Sequence, residues 1–273
     1  MSTIGTNIGA LYASFYLTQN NEALTNSQTK LASGSRLAVP SEDAAGVAVS
    51  AKMDATIQRL GAAEDGAQNV ISFAQTSDGF LQTIQAQLNR MSELAQRATN
   101  GAFNSNDLAN YNTEFDRIRT QISNIMYAAT FNGTSIFSTS GPITVAINAD
   151  GVTDNFSRVS ITTMGQLGVD VTQITSISTT TYATSAISAL QLALQTLTTN
   201  RAVVNADISK FQFHVNNLRV QDINIQAADS RIKDLDVADE STTLSKDNIL
   251  LQAATSMLAQ ANSSQSTVLS LLK

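Results

Sequence analysis

The stretch Leu60–Ala98, LGAAEDGAQNVISFAQTSDGFLQTIQAQLNRMSELAQRA, carries the apolar stripe on which the fold depends. Its members recur three and four positions apart, with one polar interruption: Leu60, Ala63, Ala67, Val70, Ala74, Ser77, Leu81, Ile84, Leu88, Met91, Ala95 and Ala98. A seven-residue repeat kept over this length predicts a helix, because side chains on a strand alternate with period two. The stripe stays on one side only when the helix winds slowly around a partner, so the rest of the chain should supply packing helices.

The composition supports long helices and excludes several classes of function. The chain has 273 residues, a net charge of −6 and only 5% aromatic residues. Its Lys and Arg residues form no basic run, which argues against a nucleic-acid partner. The absence of cysteine excludes disulfides and thiolate chemistry. No apolar run approaches the roughly 20 residues that cross a bilayer, so we expect no membrane insertion. The first 29 residues lack Lys and Arg, so we expect no cleaved signal with a basic start.

Helical patterns also precede and follow the central stretch. Residues 3–33 predict a helix that ends at Ser33-Gly34, and Ser41 is the predicted cap of the helix that then runs to Thr99. A third helix, with Ser105 as its predicted cap, should return antiparallel to the second. Its apolar stripe is Leu108, Tyr111, Phe115, Ile118, Ile122, Ile125 and Ala129.

The pattern changes after the turn predicted at Asn132-Gly133. Alternating apolar residues at 143–147 and at 159–161 flank Asp150-Gly151 and predict β-hairpins within about 134–172. Residues 172–188 hold ten Ser or Thr in seventeen positions, which predicts an exposed connection. A plain solvated loop and a surface carrying O-linked modification are both open interpretations of this segment.

Two further helices are predicted toward the C-terminus. The seven-residue spacing returns from about Ala186 to Ile225, a break is predicted near Asp229-Ser230, and a last helix spans about 241–272. The helices at both chain ends have apolar seams and almost no charge. In an isolated chain such helices would be prone to aggregation or partly unfolded, so we expect them to fold against copies of the same chain.

Several motifs resemble those of the bacterial flagellin family. LASGSRL at 31–37 and SEDAAGVA at 41–48 are similar to the family's LSSG-x-R-I and DDAAG-x-AI runs. Five further segments also resemble family sequences: LNRMSELA at 88–95, the Phe131-Asn-Gly133 turn, SRIKD at 230–234, and the runs 249–261 and 268–272. The resemblance covers roughly 1–137 and 183–273, and it indicates a minimal flagellin without large central insertions.

This resemblance implies a fold, a route and a set of partners. The fold is mainly α, a long antiparallel helical bundle or coiled coil with a small β-hairpin patch. Residues 1–40 and 235–273 would pair as an inner polymerisation domain, and residues 41–234 would form an outer helical rod. The family resemblance further implies type III export and secretion into the extracellular flagellar filament. Expected partners are copies of the chain, an export chaperone, and the cap and junction proteins.

The residues indicate no enzyme, and we expect no catalytic residue, cofactor or metal site. His214 lies in a helical pattern and is interpreted as a satisfied or surface histidine, and the acidic stretch 234–240 matches no calcium-binding loop. By resemblance, Arg90 and Leu94, with Glu114 on the next helix, are candidate contacts for the flagellin-sensing Toll-like receptor of vertebrates. Protofilament packing through the same surface is the alternative interpretation.

We therefore interpret the chain as a self-polymerising structural subunit of the flagellar filament. Two alternatives remain open: a hook–filament junction protein that uses the same export route, and a monomeric surface-binding module whose face is the segment 134–188. The predicted self-assembly residues are Ile4, Leu11, Phe15, Leu24, Leu31, Leu250, Met257, Ala261, Val268 and Leu271.

Overall fold

The computed structural model describes residues 6–137, 141–159 and 176–270, with the side chains of 265–270 left out. The described part is mainly α-helical and carries two small antiparallel strand pairs, which confirms the predicted fold class. Its elements in chain order are α1 (Ile8–Ser33), α2 (Ala44–Ala98), α3 (Ser105–Ala128), β1 (Thr130–Phe131), β2 (Thr134–Ser135), β3 (Ile143–Ala146), β4 (Thr153–Phe156), α4 (Thr180–Lys233) and α5 (Val237–Ser270).

Contacts divide the chain into two compact units. The terminal unit comprises Met1–Ile57 with Ile223–Lys273, and the central unit comprises Gln58–Asp222. These bounds differ from the predicted domains, because residues 41–57 and 223–234 group with the chain ends. Ion pairs explain part of this grouping: Lys30 Nζ lies 2.5 Å from Glu42 Oε2, and Lys233 Nζ lies 3.4 Å from Asp54 Oδ2.

The end of α1 and the starts of α2 and α3 lie within a few residues of their predicted positions, but two caps are different residues. The predicted stop at Ser33-Gly34 is confirmed, with Gly34 in the left-handed conformation at φ 67°. At the start of α2, Asp43 Oδ1 accepts the Gly46 N–H at 2.8 Å, so Asp43 caps this helix instead of the predicted Ser41. Asn104 caps α3 in place of Ser105, and it forms a reciprocal capping box with Asp107.

The stripe at Leu60–Ala98 is the core of the central unit. All twelve predicted members are buried, including the polar Ser77 at 1% exposure. From Ala67 onward, the apolar members belong to one hydrophobic cluster with the apolar faces of α3 and of the central-unit part of α4. Burial of the whole stripe confirms that its seven-residue period marks a helix packed against partners from its own chain.

The C-terminal helices begin earlier than predicted. Thr180 already opens α4, and Ala183 and Ala186 are buried, so the described part of the predicted exposed connection at 172–188 is helical from Thr180 onward. Residues 172–175 lie outside the described residues. The helix α4 also continues to Lys233, past the predicted break, and α5 starts at Val237 instead of about 241. Small apolar residues spaced three apart gave no strong stripe, which explains the late predicted start of α4.

The first of the two short hairpins follows the predicted turn. Asn132 and Gly133, with φ of 48° and 76°, connect β1 to β2, and this left-handed pair is typical of tight hairpin turns.

The second hairpin uses the predicted turn near Gly151, but its return strand β4 is Thr153–Phe156 and not the predicted 159–161. Val159 lies outside any strand, and Ile161 lies outside the described residues. The strand β4 has no alternating apolar pattern in the sequence, because polar contacts position it. Asp154 Oδ2 lies 3.0 Å from His214 Nε2 and 3.3 Å from Lys210 Nζ on α4.

An ion pair interrupts the apolar packing between α2 and α4 in the central unit. Arg201 Nε and Nη2 donate to the two carboxylate oxygens of Asp78 at 2.8 and 3.1 Å, and Nη1 donates to Gln85 Oε1 at 2.6 Å. The Arg201 and Asp78 side chains are 25% and 22% exposed. Because the geometry is bidentate and partly desolvated, this pair fixes how the two helices align along their length.

Replacing Arg201 should therefore destabilise the central unit. In Arg201→Met, Asp78 stays partly buried without its cation, and we expect a loss of about 1–3 kcal/mol in the free energy of unfolding. Thermal or urea unfolding, followed by circular dichroism on dilute monomer, measures this loss. Arg219→Met is the matched control, because Arg219 pairs with Glu64 at 2.7 Å but its side chain is 55% exposed. The control should change stability by less than about 0.5 kcal/mol, and equal losses would contradict the role of the Arg201 pair.

The same variant should lose its defect in acid. The hydrogen bond from Arg201 lowers the pKa of Asp78, against the opposing effect of burial. A carboxyl whose folded pKa is lowered stabilises the fold above its unfolded pKa, and this stability is lost as the pH falls through the folded value. The stability difference between the unchanged chain and Arg201→Met should therefore shrink below about pH 4, near the pKa of an unfolded aspartate. A difference that is constant from pH 7 to pH 3 would contradict this assignment.

Candidate self-assembly surface

The terminal unit is organised around an antiparallel pair formed by α1 and α5. Asn7, the cap of α1, donates its side-chain amide to the Ala261 carbonyl at 2.9 Å. Asn20 donates in the same way to the Leu250 carbonyl at 3.3 Å. These two contacts align the start of α1 with the far end of α5, so both chain ends belong to one helix pair.

A leucine seam faces inward between the two helices. On both helices the buried and half-buried positions recur three and four residues apart, with a leucine at every seventh position. We define the α1–α5 seam by these leucines: Leu17, Leu24 and Leu31 on α1 with Leu244, Leu251 and Leu258 on α5. Buried Ser27 and Asp247 lie in the same series. This spacing is typical of the seam of a coiled coil.

A second apolar face of the same pair is exposed to solvent. Its side chains are between 39% and 68% exposed, and on each helix they lie away from the seam. We call it the exposed terminal face: Ile8, Leu11, Tyr12, Phe15 and Tyr16 on α1, and Ile249, Leu250 and Met257 on α5. Contiguous exposed apolar side chains of this kind are unusual on a monomeric protein and mark interaction surfaces.

A groove runs along this face where the two helices meet. It has a volume of about 570 Å³, and its larger lining residues are Tyr12, Tyr16, Leu250 and Met257. Smaller side chains, among them Ala13, complete the lining and leave room between the large ones. The groove therefore offers an apolar channel into which side chains of another helix can insert.

The structure places the predicted self-assembly residues in three groups. Leu24 is buried in the seam, and Leu31 and Ala261 are half-buried. The members on the exposed terminal face are Leu11, Phe15, Leu250 and Met257. Ile4 and Leu271 lie outside the described residues, and Val268 lies in α5 but its side chain is not described.

The sequence prediction merged two apolar faces into one. It combined seam residues with exposed ones because each helix carries apolar side chains on more than one side. It also missed Tyr12, Tyr16 and Ile249 on the exposed face, and Leu244, Leu251 and Leu258 in the seam. The seven-residue spacing of Leu244, Leu251 and Leu258 was the signal that could have separated the faces.

The second predicted site is a charged cluster on α2 and α3. Arg90 donates to Glu114 Oε1 from Nε at 3.0 Å and from Nη2 at 2.7 Å, and its Nη1 donates to Glu93 Oε2 at 2.8 Å. Glu93 also accepts from Arg97 Nη2 at 2.5 Å. Hydrogen bonds with Glu114 and then Glu93 raise the pKa of Arg90, and the bond from Arg90 lowers the pKa of Glu93. The structure thus brings Arg90 and Glu114 together on the surface.

Leu94 does not belong to this charged surface. Its side chain is 0% exposed and packs in the core of the central unit. The predicted surface contact through Leu94 is therefore corrected to a core position, because the residue falls beside the buried stripe on the helix. Arg90 and Glu114 keep their surface positions without it.

Neither metal chemistry nor a membrane span has structural support in the described residues. No group of three acidic or histidine side chains there could hold a metal ion. His214 contacts Asp154, as described above, and is about three-quarters buried. Within the same residues, no helix has an apolar stretch long enough to cross a bilayer.

Family comparisons cover both helical halves of the chain. The bacterial flagellin N-terminal helical region matches residues 4–141, and the bacterial flagellin C-terminal helical region matches residues 187–272. Together the two regions span well over half of the chain, including α1, α5 and the buried stripe.

Similar curated proteins extend this match to nearly the full length. A 33 kDa flagellar filament core protein of Treponema phagedenis is 34% identical over 99% of both chains, and the 30.7 kDa core protein of Treponema maltophilum is 33% identical over 98% of this chain and 99% of its own. A flagellin of Listeria monocytogenes is 29% identical over 95% of both chains.

Solved structures of flagellar proteins are also similar to this chain. Bacillus cereus flagellin superposes with a TM-score of 0.51 at 25% identity, covering 60% of this chain and 94% of that one. A hook-associated protein of Vibrio parahaemolyticus shares the fold at a TM-score of 0.60, with 11% identity over 70% of this chain and 99% of that one. With its two helical halves matched and its whole length similar to filament core proteins, the chain belongs to the flagellin family, the structural subunits of bacterial flagellar filaments.

Proposed function

We propose that this chain is polymerised into the flagellar filament through the exposed terminal face of α1 and α5. The observation that carries the proposal is the exposure of large apolar side chains on an otherwise well-paired helix pair. Burying one such side chain stabilises a complex by roughly 1.5–3 kcal/mol, so several of them supply a strong driving force for association. Identical copies are the partners that the family's function implies.

The distribution of charge supports a homopolymer. Residues 1–21 and 248–272 contain no charged side chain. In a helical polymer each residue meets the same few positions of identical neighbours, so an unpaired charge on the contact surface would be buried again at every subunit. The two uncharged segments avoid this cost, and they contain the residues of the exposed terminal face.

The remaining partners follow from membership of the family. We propose export through the flagellar type III channel, an export chaperone for the C-terminal helix, and contacts with cap and junction proteins outside the cell. The Arg90–Glu114 surface is a candidate for packing between protofilaments or for binding the flagellin-sensing Toll-like receptor. The likeness to a hook-associated protein concerns the fold alone, so it does not favour the junction alternative.

Polar substitution on the exposed terminal face should block polymerisation without unfolding the chain. In Leu11→Gln/Phe15→Gln the two side chains are 68% and 63% exposed, so the free chain keeps its helix content. In a polymer each would bury an amide in an apolar contact, and we expect the critical concentration to rise at least tenfold. Seeded sedimentation with sheared filament fragments measures the critical concentration, and circular dichroism measures helix content.

Two controls make this result specific. Tyr127→Gln removes a 74% exposed aromatic side chain from α3 in the central unit and should change the critical concentration less than threefold. Leu24→Gln places an amide in the seam and should lower the helix content of the free chain. An equal loss of polymerisation in Tyr127→Gln, or normal filaments from the Leu11/Phe15 variant, would count against the terminal face.

Removing α5 should separate folding of the central unit from polymerisation. Deletion of residues 237–273 exposes the α1 half of the seam, and an isolated helix of this length is marginal in water. We expect loss of helical signal from α1, a cooperative thermal transition that remains in the central unit, and no sedimenting polymer. Filaments formed by this truncated chain would overturn the proposal.

A further inference from the structure

The exposed terminal face contains one oxidisable side chain, the thioether of Met257. Met257 is 65% exposed and lines the groove beside Tyr12, Tyr16 and Leu250. Elsewhere in the described residues, Met91 and Met126 are 1% and 8% exposed in the central core, and Met53 is half-buried. The chain therefore offers a reactive sulfur on the surface that its proposed function requires to stay apolar.

We propose that Met257 is an oxidation site through which peroxides control whether a subunit can join the polymer. The proposal rests on the function proposed above, since it assigns a chemical consequence to the same surface. Peroxides are the co-reactants, and the modification is a single oxygen transfer to sulfur. The described structure gives Met257 the solvent access that this reaction needs.

The chemistry is balanced without any group from the protein. The Met257 sulfur attacks one oxygen of hydrogen peroxide, an S–O bond forms, and the O–O bond breaks. The sulfur is oxidised by two electrons to a sulfoxide, and the leaving oxygen takes a proton and departs as water. Enzymatic reduction of methionine sulfoxide reverses the change, so the site can act as a switch and not only as damage.

The consequence differs between the free chain and the polymer. In the free chain the sulfoxide faces water, so the α1–α5 seam is undisturbed and the helix pair persists. In the polymer the S=O group would lie in an apolar groove and lose its hydrogen bonds to water, which opposes association. Conversely, a subunit that is already incorporated would have Met257 covered and protected from peroxide.

The experiment compares oxidation and polymerisation on the full-length chain. Free chains and preformed filaments are treated with the same hydrogen peroxide concentration, and peptide mass spectrometry follows the sulfoxide at each methionine. We expect Met257 to oxidise at least tenfold faster than Met91 and Met126 in free chains, and at least tenfold more slowly in filaments than in free chains. Oxidised free chains should show a critical concentration raised at least tenfold, which methionine sulfoxide reductase restores.

Three variants separate Met257 from other effects of peroxide. Met257→Leu keeps an apolar side chain of similar size but has no sulfur to oxidise, so peroxide should change this variant's own critical concentration by less than twofold. Met257→Gln carries a permanent polar group and should resemble the oxidised chain without treatment. Met53→Leu, a change elsewhere in the terminal unit, should remain sensitive to peroxide. Circular dichroism confirms that each variant is folded.

The outcomes distinguish this inference from the function on which it rests. If untreated chains do not elongate filament seeds, the proposed function fails and the inference fails with it. If untreated chains elongate seeds, but chains fully oxidised at Met257 elongate them equally well, only the inference is overturned. Peroxide sensitivity that persists in Met257→Leu would also overturn it.

Discussion

The terminal unit depends on the leucine seam between α1 and α5. A two-helix pair can bury only one strip on each helix, because no third layer covers its outer surfaces. The seam uses Leu17, Leu24 and Leu31 against the leucines of α5, and it leaves the aromatic and aliphatic side chains of the exposed terminal face in solvent. The chain thus pairs its two terminal helices with each other and still exposes a large apolar face.

The central unit meets the same constraint in a different way. Its stripe at Leu60–Ala98 is covered by α3, by α4 and by the short hairpins, so the long apolar repeat is fully buried within one chain. Because apolar seams alone tolerate sliding, Arg201 and Asp78 add a directional contact in the α2–α4 packing. The central unit buries its long stripe within one chain, whereas the terminal unit leaves an apolar face exposed, which we propose is covered by neighbouring copies.

The sequence predicted the elements whose apolar period is long and regular. The buried stripe, the helix α3 and the turn at Asn132-Gly133 follow from periodicity and turn chemistry. The strand Thr153–Phe156 could not be predicted in this way. Its Asp154 contacts Lys210 and His214, and contacts between residues so distant in sequence leave no local pattern.

The candidate site was predictable only in part for a related reason. Periodicity identifies apolar positions but does not say which of two apolar faces a partner within the chain covers. Leu24 and Phe15 therefore entered one predicted set, although the structure buries the first and exposes the second. The family resemblance predicted that Leu94 lies on the surface. Its position on α2, next to the buried stripe, instead places it in the core.

A cryo-electron microscopy reconstruction of purified filaments, deep enough to trace side chains, would show whether the exposed terminal face is the contact between copies. We expect neighbouring copies to cover Phe15, Leu250 and Met257, while the α1–α5 seam within each subunit keeps its pairing. Filaments in which these three side chains face solvent, and in which copies touch only through residues 58–222, would contradict this expectation.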